Sequence, residues 1–167
     1  MKRLLLLAFL TVGVVAPAQS PLYQEPTLTG PATGAKPASV QFLSPDQITL
    51  ATGKPETVTL RFRIAPGFHI NSHNPRDKFL IPTVFSLPEG SGVRLESAQY
   101  PSGGEYVLPA DPNTKLNVYT GDFAIQARLV AAAGDHPVEA KLHYQACDQA
   151  QCLPPKTITI PLDIVAR

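Results

Sequence analysis

From Thr57 to Ile64 the chain alternates without a fault: Val58, Leu60, Phe62 and Ile64 fall on one face, Thr57, Thr59, Arg61 and Arg63 on the other. A period of two belongs to a strand with one buried and one wet face, and it cannot be wound into a helix without scattering the apolar residues. The pattern returns at Phe123, Ile125, Ala127 and Leu129, at Val138, Ala140, Leu142 and Tyr144, and at Ile158, Ile160, Leu162 and Ile164. Turn-forming clusters punctuate these runs: Ser44-Pro45-Asp46, Ala65-Pro66-Gly67, Pro88-Glu89-Gly90, Ser102-Gly103-Gly104 and Ala133-Gly134-Asp135. No stretch carries a convincing helical period. Roughly seven to nine short strands at such spacing predict an all-β chain folded as an immunoglobulin-like antiparallel β-sandwich.

The N-terminus reads differently. Lys2 and Arg3 precede an uncharged run from Leu4 to Val15, and Ala16-Pro17-Ala18 offers a small-residue cleavage site, so residues 1–18 are expected to be a signal peptide. The apolar run is short for a bilayer span and no second one follows. No cysteine sits just after the cleavage point, which argues against a lipid anchor. The expected product is an exported protein, periplasmic or otherwise, that is soluble after cleavage. Residues 19–38, with Pro21, Pro26, Pro31 and Pro37, read as an extended linker, and residues 39–167 as the folded domain. The formal charge is +1 and no basic stripe appears, so nucleic acid is not an expected partner. No Gly-rich phosphate loop follows a strand; neither a cofactor nor a small-molecule ligand is expected.

The chain has only two cysteines, Cys147 and Cys152. In an oxidising compartment such a pair is read as a disulfide. Pairing 138–146 with 153–165 as a hairpin sets the two cysteines opposite one another at its mouth, with Cα atoms about 4.5 Å apart. Continued alternation points Tyr144 and Ala146 inward and Cys147 outward, so the bridge is expected at or near the surface. A loop this short stabilises the fold by only about 2 kcal/mol. That makes a poor staple and suits a redox centre better. Pro154-Pro155 removes two backbone donors directly after Cys152 and stiffens the strand entry. Asp148 beside Cys147 disfavours a thiolate, His143 lies too far along the strand, and no Lys, Arg or helix N-terminus is near in sequence. Thiols without local acidification suit the onward transfer of reducing equivalents rather than strong oxidation.

Tyr100 to Asn117, rich in Pro and Gly, is expected to be a long irregular loop, with Tyr100, Tyr106 and Leu108 giving it apolar contacts; a lid over a site and a solvated loop are both open readings. His69 and His73 would sit about 13 Å apart on a strand and read as two polar edge residues. Met1 is the only methionine, which excludes a thioether copper site. Cys147, Cys152 and His143 lack a fourth zinc ligand, so no metal site is expected. No nucleophile–base–orienter triad is readable, and Arg61 and Arg63 read as a solvated strand face.

The residues around the cysteines carry a family resemblance. Tyr144-Gln145-Ala146-Cys147, then Cys152-Leu153-Pro154-Pro155-Lys156-Thr157 and the strand Ile158 to Leu162 resemble the end of the periplasmic N-terminal domain of the thiol:disulfide interchange protein DsbD. Pro66 to Ser72 and Phe79 to Thr83 are also similar to that family, and the likeness extends over roughly 39–166. It implies an immunoglobulin-like fold with one exchangeable disulfide and a protein-disulfide reductase type of oxidoreductase activity. It also implies transient mixed disulfides with thioredoxin-like proteins. Cys152 would form the mixed disulfide, Cys147 would resolve it, and a cap loop near Tyr100 to Leu108 would shield the pair. Two departures stand out: known members carry one more residue between the cysteines, and an aromatic residue where Gln99 aligns. Because the sequence ends at Arg167 without a membrane region or thioredoxin module, electrons are expected from a separate protein, a membrane donor being one candidate. The rival reading is a non-catalytic binding or assembly sandwich whose disulfide only pins a hairpin.

Overall fold

The computed structural model describes residues 38–43, 47–109 and 111–167. The expected signal segment 1–18, and the linker 19–38 apart from Ala38, lie outside the described residues. Twelve strands follow in order: β1 (Val40–Leu43), β2 (Ile48–Leu50), β3 (Glu56–Ile64), β4 (His69–Asn71), β5 (Val84–Ser86), β6 (Val93–Gln99), β7 (Gly104–Leu108), β8 (Asp111–Tyr119), β9 (Asp122–Ala131), β10 (Gly134–Tyr144), β11 (Ala146–Cys147) and β12 (Lys156–Ala166). No helix among the described residues is long and apolar enough to cross a membrane.

Three four-stranded sheets form, in the orders β1-β3-β9-β6, β2-β12-β10-β5 and β11-β4-β8-β7. The first two are the sandwich expected from the alternation. Leu60, Phe62, Ile125, Ala127 and Leu129 from one sheet share a single buried cluster with Ala140, Leu142, Tyr144, Ile160 and Ile164 from the other. The apolar face of each strand has only the other sheet to bury against, and so the period of two sets the two layers. Phe42, Phe62, Phe123 and Tyr119 form a run of rings with centroids 5.0–5.2 Å apart through this core. Pairing is antiparallel throughout except where β2 lies parallel to the end of β12. Pro161 falls on β12 opposite Glu139 and before the parallel pairing begins at Ile164, so its missing N–H takes no ladder bond from β2. On the wet face of β3, Arg63 makes two hydrogen bonds to Asp122 across the strand pair, at 2.7 and 2.8 Å.

The third sheet corrects one expectation. Tyr100 to Asn117 is not an irregular loop: Gly104–Leu108 and Asp111–Tyr119 pair as a hairpin, with Glu105 opposite Asn117 and Tyr106 opposite Leu116. Its prolines and glycines cluster at the strand ends, where they hid a weak alternation. The hairpin is held close to its neighbours. A Cβ on Gly103 would collide with the side chains of Asn117 and Ser72, so only glycine lets β7 enter at this distance. Glu105 on β7 accepts from Arg76 at 3.1 Å and pairs with Lys115 at 3.0 Å. These cations, with Lys115 first, hold the Glu105 carboxyl below its ordinary range.

Candidate functional site

The cysteine segment hangs from the paired strands β10 and β12, whose register runs from Gly134 opposite Ala166 to Tyr144 opposite Lys156. At its mouth Cys147 faces Cys152 in an antiparallel bridge, and the two are joined by a disulfide with Cα atoms 3.9 Å apart. The expected hairpin pairing is therefore present. Local hydrogen bonds fix its tip. Asp148 Oδ1 accepts the N–H groups of Ala150 and Gln151, both at 2.8 Å, and the Asp148 N–H donates to the Gln151 carbonyl at 2.9 Å. An aspartate closing a turn on the residues just after it is a local preference of that side chain. Below the bridge, Leu153 N–H donates to the Ala146 carbonyl at 2.8 Å, and the Gln145 amide donates to the Leu153 carbonyl at 3.2 Å.

The orientation of Cys147 differs from the expectation. It does not point to solvent; its exposure is 1%, whereas Cys152 is exposed. The alternation of β10 stops at Gln145, and β11 leaves that sheet to pair with β4, Ala146 opposite Ile70 and Cys147 opposite His69. Ala146 thus packs into the sandwich core, while Cys147 is covered from the side of the third sheet. Both residues of this short strand are buried, one on each face. The bridge is consequently lopsided, with one cysteine enclosed and one reachable.

His69 is the residue that the sequence misplaced. β4 lies between β11 and β8, and His69 is 2% exposed rather than an edge residue. Residues directly opposite in an antiparallel pair project to the same side with Cβ atoms about 4.5–5.5 Å apart, so the His69 and Cys147 side chains leave the ladder on one side. The Tyr106 ring lies against the His69 imidazole, centroid to centroid 4.2 Å. His69 Nε2 is buried with no hydrogen-bond partner among the described residues. Burial pushes this imidazole below its ordinary value of 6.5, and the nearby Asp148 carboxylate opposes the shift. Beside it lies an open hollow of about 330 Å³, lined in part by Phe68, His69, Tyr106 and Gln149. No sequence spacing announces this neighbourhood; it arises from a strand pairing across the whole length of the domain.

The other cap candidates divide. Tyr106 sits over His69, next to the bridge. Tyr100 is placed elsewhere: its ring stacks on His73 at 3.8 Å and 1° between planes, and its hydroxyl accepts the Phe85 N–H at 2.8 Å. Burial raises the Tyr100 phenol, with that accepted bond working against it. Leu108 is half-buried at the far end of the hairpin, where β7 meets Asp111. His73 Nδ1 contacts the Thr83 carbonyl at 2.9 Å, and the His73 backbone N–H donates to the Tyr119 hydroxyl at 3.0 Å. His73 and Tyr100 thus fasten the hairpin stem to the sandwich rather than approach the sulfurs. His143 bonds Thr157 Oγ1 at 2.9 Å on the opposite strand. No group of three or more His, Cys, Asp or Glu suited to a metal occurs among the described residues.

No curated protein matches the chain. Among solved structures, it is similar to the crystal structure of the Neisseria meningitidis DsbD N-terminal domain in the reduced form, with a TM-score of 0.45 and 20% identity over 67% of this chain and 80% of that one. Residues 39–164 match the family model described as thiol:disulfide interchange protein DsbD, N-terminal. That match takes in both sheets of the sandwich, the hairpin and the cysteine segment. The chain belongs to the family of DsbD N-terminal domains.

Proposed function

We propose that the protein is an exported thiol–disulfide exchange module, working in the periplasm, that relays reducing equivalents to or from thioredoxin-like partners through Cys147 and Cys152. The observation that carries this reading is the lopsided bridge: Cys152 is exposed while Cys147 is 1% exposed. A purely structural clip has no use for that asymmetry, whereas an exchange site needs one sulfur that a partner can reach and one that it cannot.

In the reductive direction, a partner thiolate attacks Cys152 Sγ. The intramolecular S–S bond breaks, a partner–Cys152 disulfide forms, and Cys147 leaves with the electron pair as a thiolate. The partner's second thiolate then attacks its own sulfur in the mixed disulfide and releases Cys152. Two electrons have passed, and the partner holds the disulfide. The reverse sequence makes Cys152 the nucleophile and Cys147 the resolving thiol. Tyr106 acts as the cap on the Cys147 side, while Tyr100 and Leu108 support the hairpin that carries it. Contacts with partners are transient and modest in area, as redox encounters are. The chemistry resides in the two sulfurs, and no cofactor takes part.

The test is the equilibrium potential of the bridge against glutathione, followed by reduction with a thioredoxin-like donor. An exchange site opens at potentials above about −300 mV and is reduced by the donor. A bridge that stays closed below that potential and ignores the donor is a structural clip, and the binding-domain reading replaces this one.

A further inference from the structure

We propose that His69 is the proton-transfer partner of the Cys147 sulfur, taking its proton when Cys147 resolves a mixed disulfide and returning one when Cys147 is the leaving group. This rests on the exchange reading above. Three independent features of the fold point to it. The ladder sets His69 directly opposite Cys147, with both side chains projecting to one side. His69 Nε2 is buried without a hydrogen-bond partner among the described residues, so one ring nitrogen is left uncommitted in a place where an unmet polar atom is costly. The Tyr106 ring lies against the imidazole at 4.2 Å and restricts its motion.

The proton balance is simple. Cys147 enclosed as it is cannot exchange its proton readily with bulk water, yet only its thiolate can attack Cys152 Sγ. Neutral His69 takes the Cys147 proton, the thiolate attacks Cys152 Sγ, and the partner leaves as a thiolate; the imidazolium remains until it loses the proton to solvent. In the opposite direction the S–S bond breaks, Cys147 departs as a thiolate, and imidazolium His69 protonates it. Burial favours the neutral ring at neutral pH, which is the form that accepts a proton, while Asp148 favours the imidazolium once formed. A base next to the nucleophile with a carboxylate bearing on it is the general arrangement for activating a weak nucleophile.

The surroundings of His69 hold few competing groups. From the cysteine segment comes Asp148, and from β7 comes Tyr106. Glu105 and Lys115 pair with one another on exposed positions of the same hairpin. A response to pH centred on this ring is therefore read against one carboxylate.

The experiment follows opening of the bridge by dithiothreitol in the oxidised full chain from about pH 5 to 8, with each rate divided by the thiolate fraction of the reagent. The wild-type corrected rate should rise about tenfold or more toward low pH, where imidazolium supplies the proton. His69→Phe should flatten the profile, and His69→Gln, which keeps a polar side chain but cannot titrate in this range, should flatten it too. A corrected rate in the wild type that is already flat overturns the proposal, as does a rise that survives in both variants. If the phenylalanine variant does not fold, the glutamine variant decides. The two readings fail separately. Electron transfer with an unchanged profile in the variants removes only the role of His69; a His69-dependent profile without any reaction with thioredoxin-like proteins removes only the relay.

Discussion

The sandwich and the small third sheet are built on opposite rules. In β3, β9, β10 and β12 nearly every inward position is aliphatic or aromatic, and Leu60, Phe62, Ile125, Leu129, Leu142 and Ile160 are wholly enclosed. In the third sheet the buried residues include His69 and Asn71, and each carries a buried polar side-chain atom without a hydrogen-bond partner among the described residues. Apolar alternation gives a layer that holds its shape by area alone. Buried polar positions contribute less to stability, and one of them, His69, is a group that can take up and release a proton. The protein keeps these functions apart: the sandwich fixes where the β10–β12 hairpin ends, and the third sheet decides what surrounds the sulfur at that end.

The largest effect on this contrast is expected from Phe62→Ala. Phe62 is fully buried and lies between the Phe42 and Phe123 rings. Its loss should cost about 3–5 kcal/mol in denaturant unfolding, with the bridge-opening rate of the folded protein unchanged. A change in that rate would show that the sandwich and the site are not separable. Tyr106→Ala should do the reverse. Stability should fall by only about 1 kcal/mol, the scale of one aromatic pair, while dithiothreitol opens the bridge several-fold faster because Cys147 loses its cover. An unaltered opening rate would remove Tyr106 from the cap.

A smaller effect concerns acid. The folded-state value of His69 lies below 6.5, its ordinary value, because burial disfavours the charged ring. Below 6.5 the unfolded chain therefore binds a proton that the folded chain resists, and stability falls as pH drops through 6.5 toward the folded value. Thermal unfolding of the wild type should thus show an acid-side loss that His69→Phe reduces. An identical loss in both would place the imidazole in a more solvated setting than the fold indicates.

Much of the scaffold could be read before any coordinates. The faultless alternation of 57–64 became β3, and the runs beginning at Phe123, Val138 and Ile158 fell within β9, β10 and β12, because one-sided burial leaves a periodic trace. The facing of Cys147 and Cys152 followed from the same hairpin. The hairpin at 104–119 was hidden because its β7 half is short, with Glu105 and Val107 exposed and only Tyr106 and Leu108 half-buried between prolines and glycines. The enclosure of Cys147 was hidden for another reason. Extrapolating the β10 alternation assumes that the strand stays in its sheet, and the transfer of β11 to β4 is a long-range pairing without a local signature. His69 was missed by the same route: spacing related it to His73, but its relevant neighbour is Cys147, on a strand far along the chain.

The most direct test is a trapping reaction with a thioredoxin-like protein whose resolving cysteine has been removed, with the adduct mapped by peptide mass. The account predicts a single mixed disulfide on Cys152, with Cys147 left as a free thiol. An adduct on Cys147, or none under conditions where the donor reduces small disulfides, would contradict it.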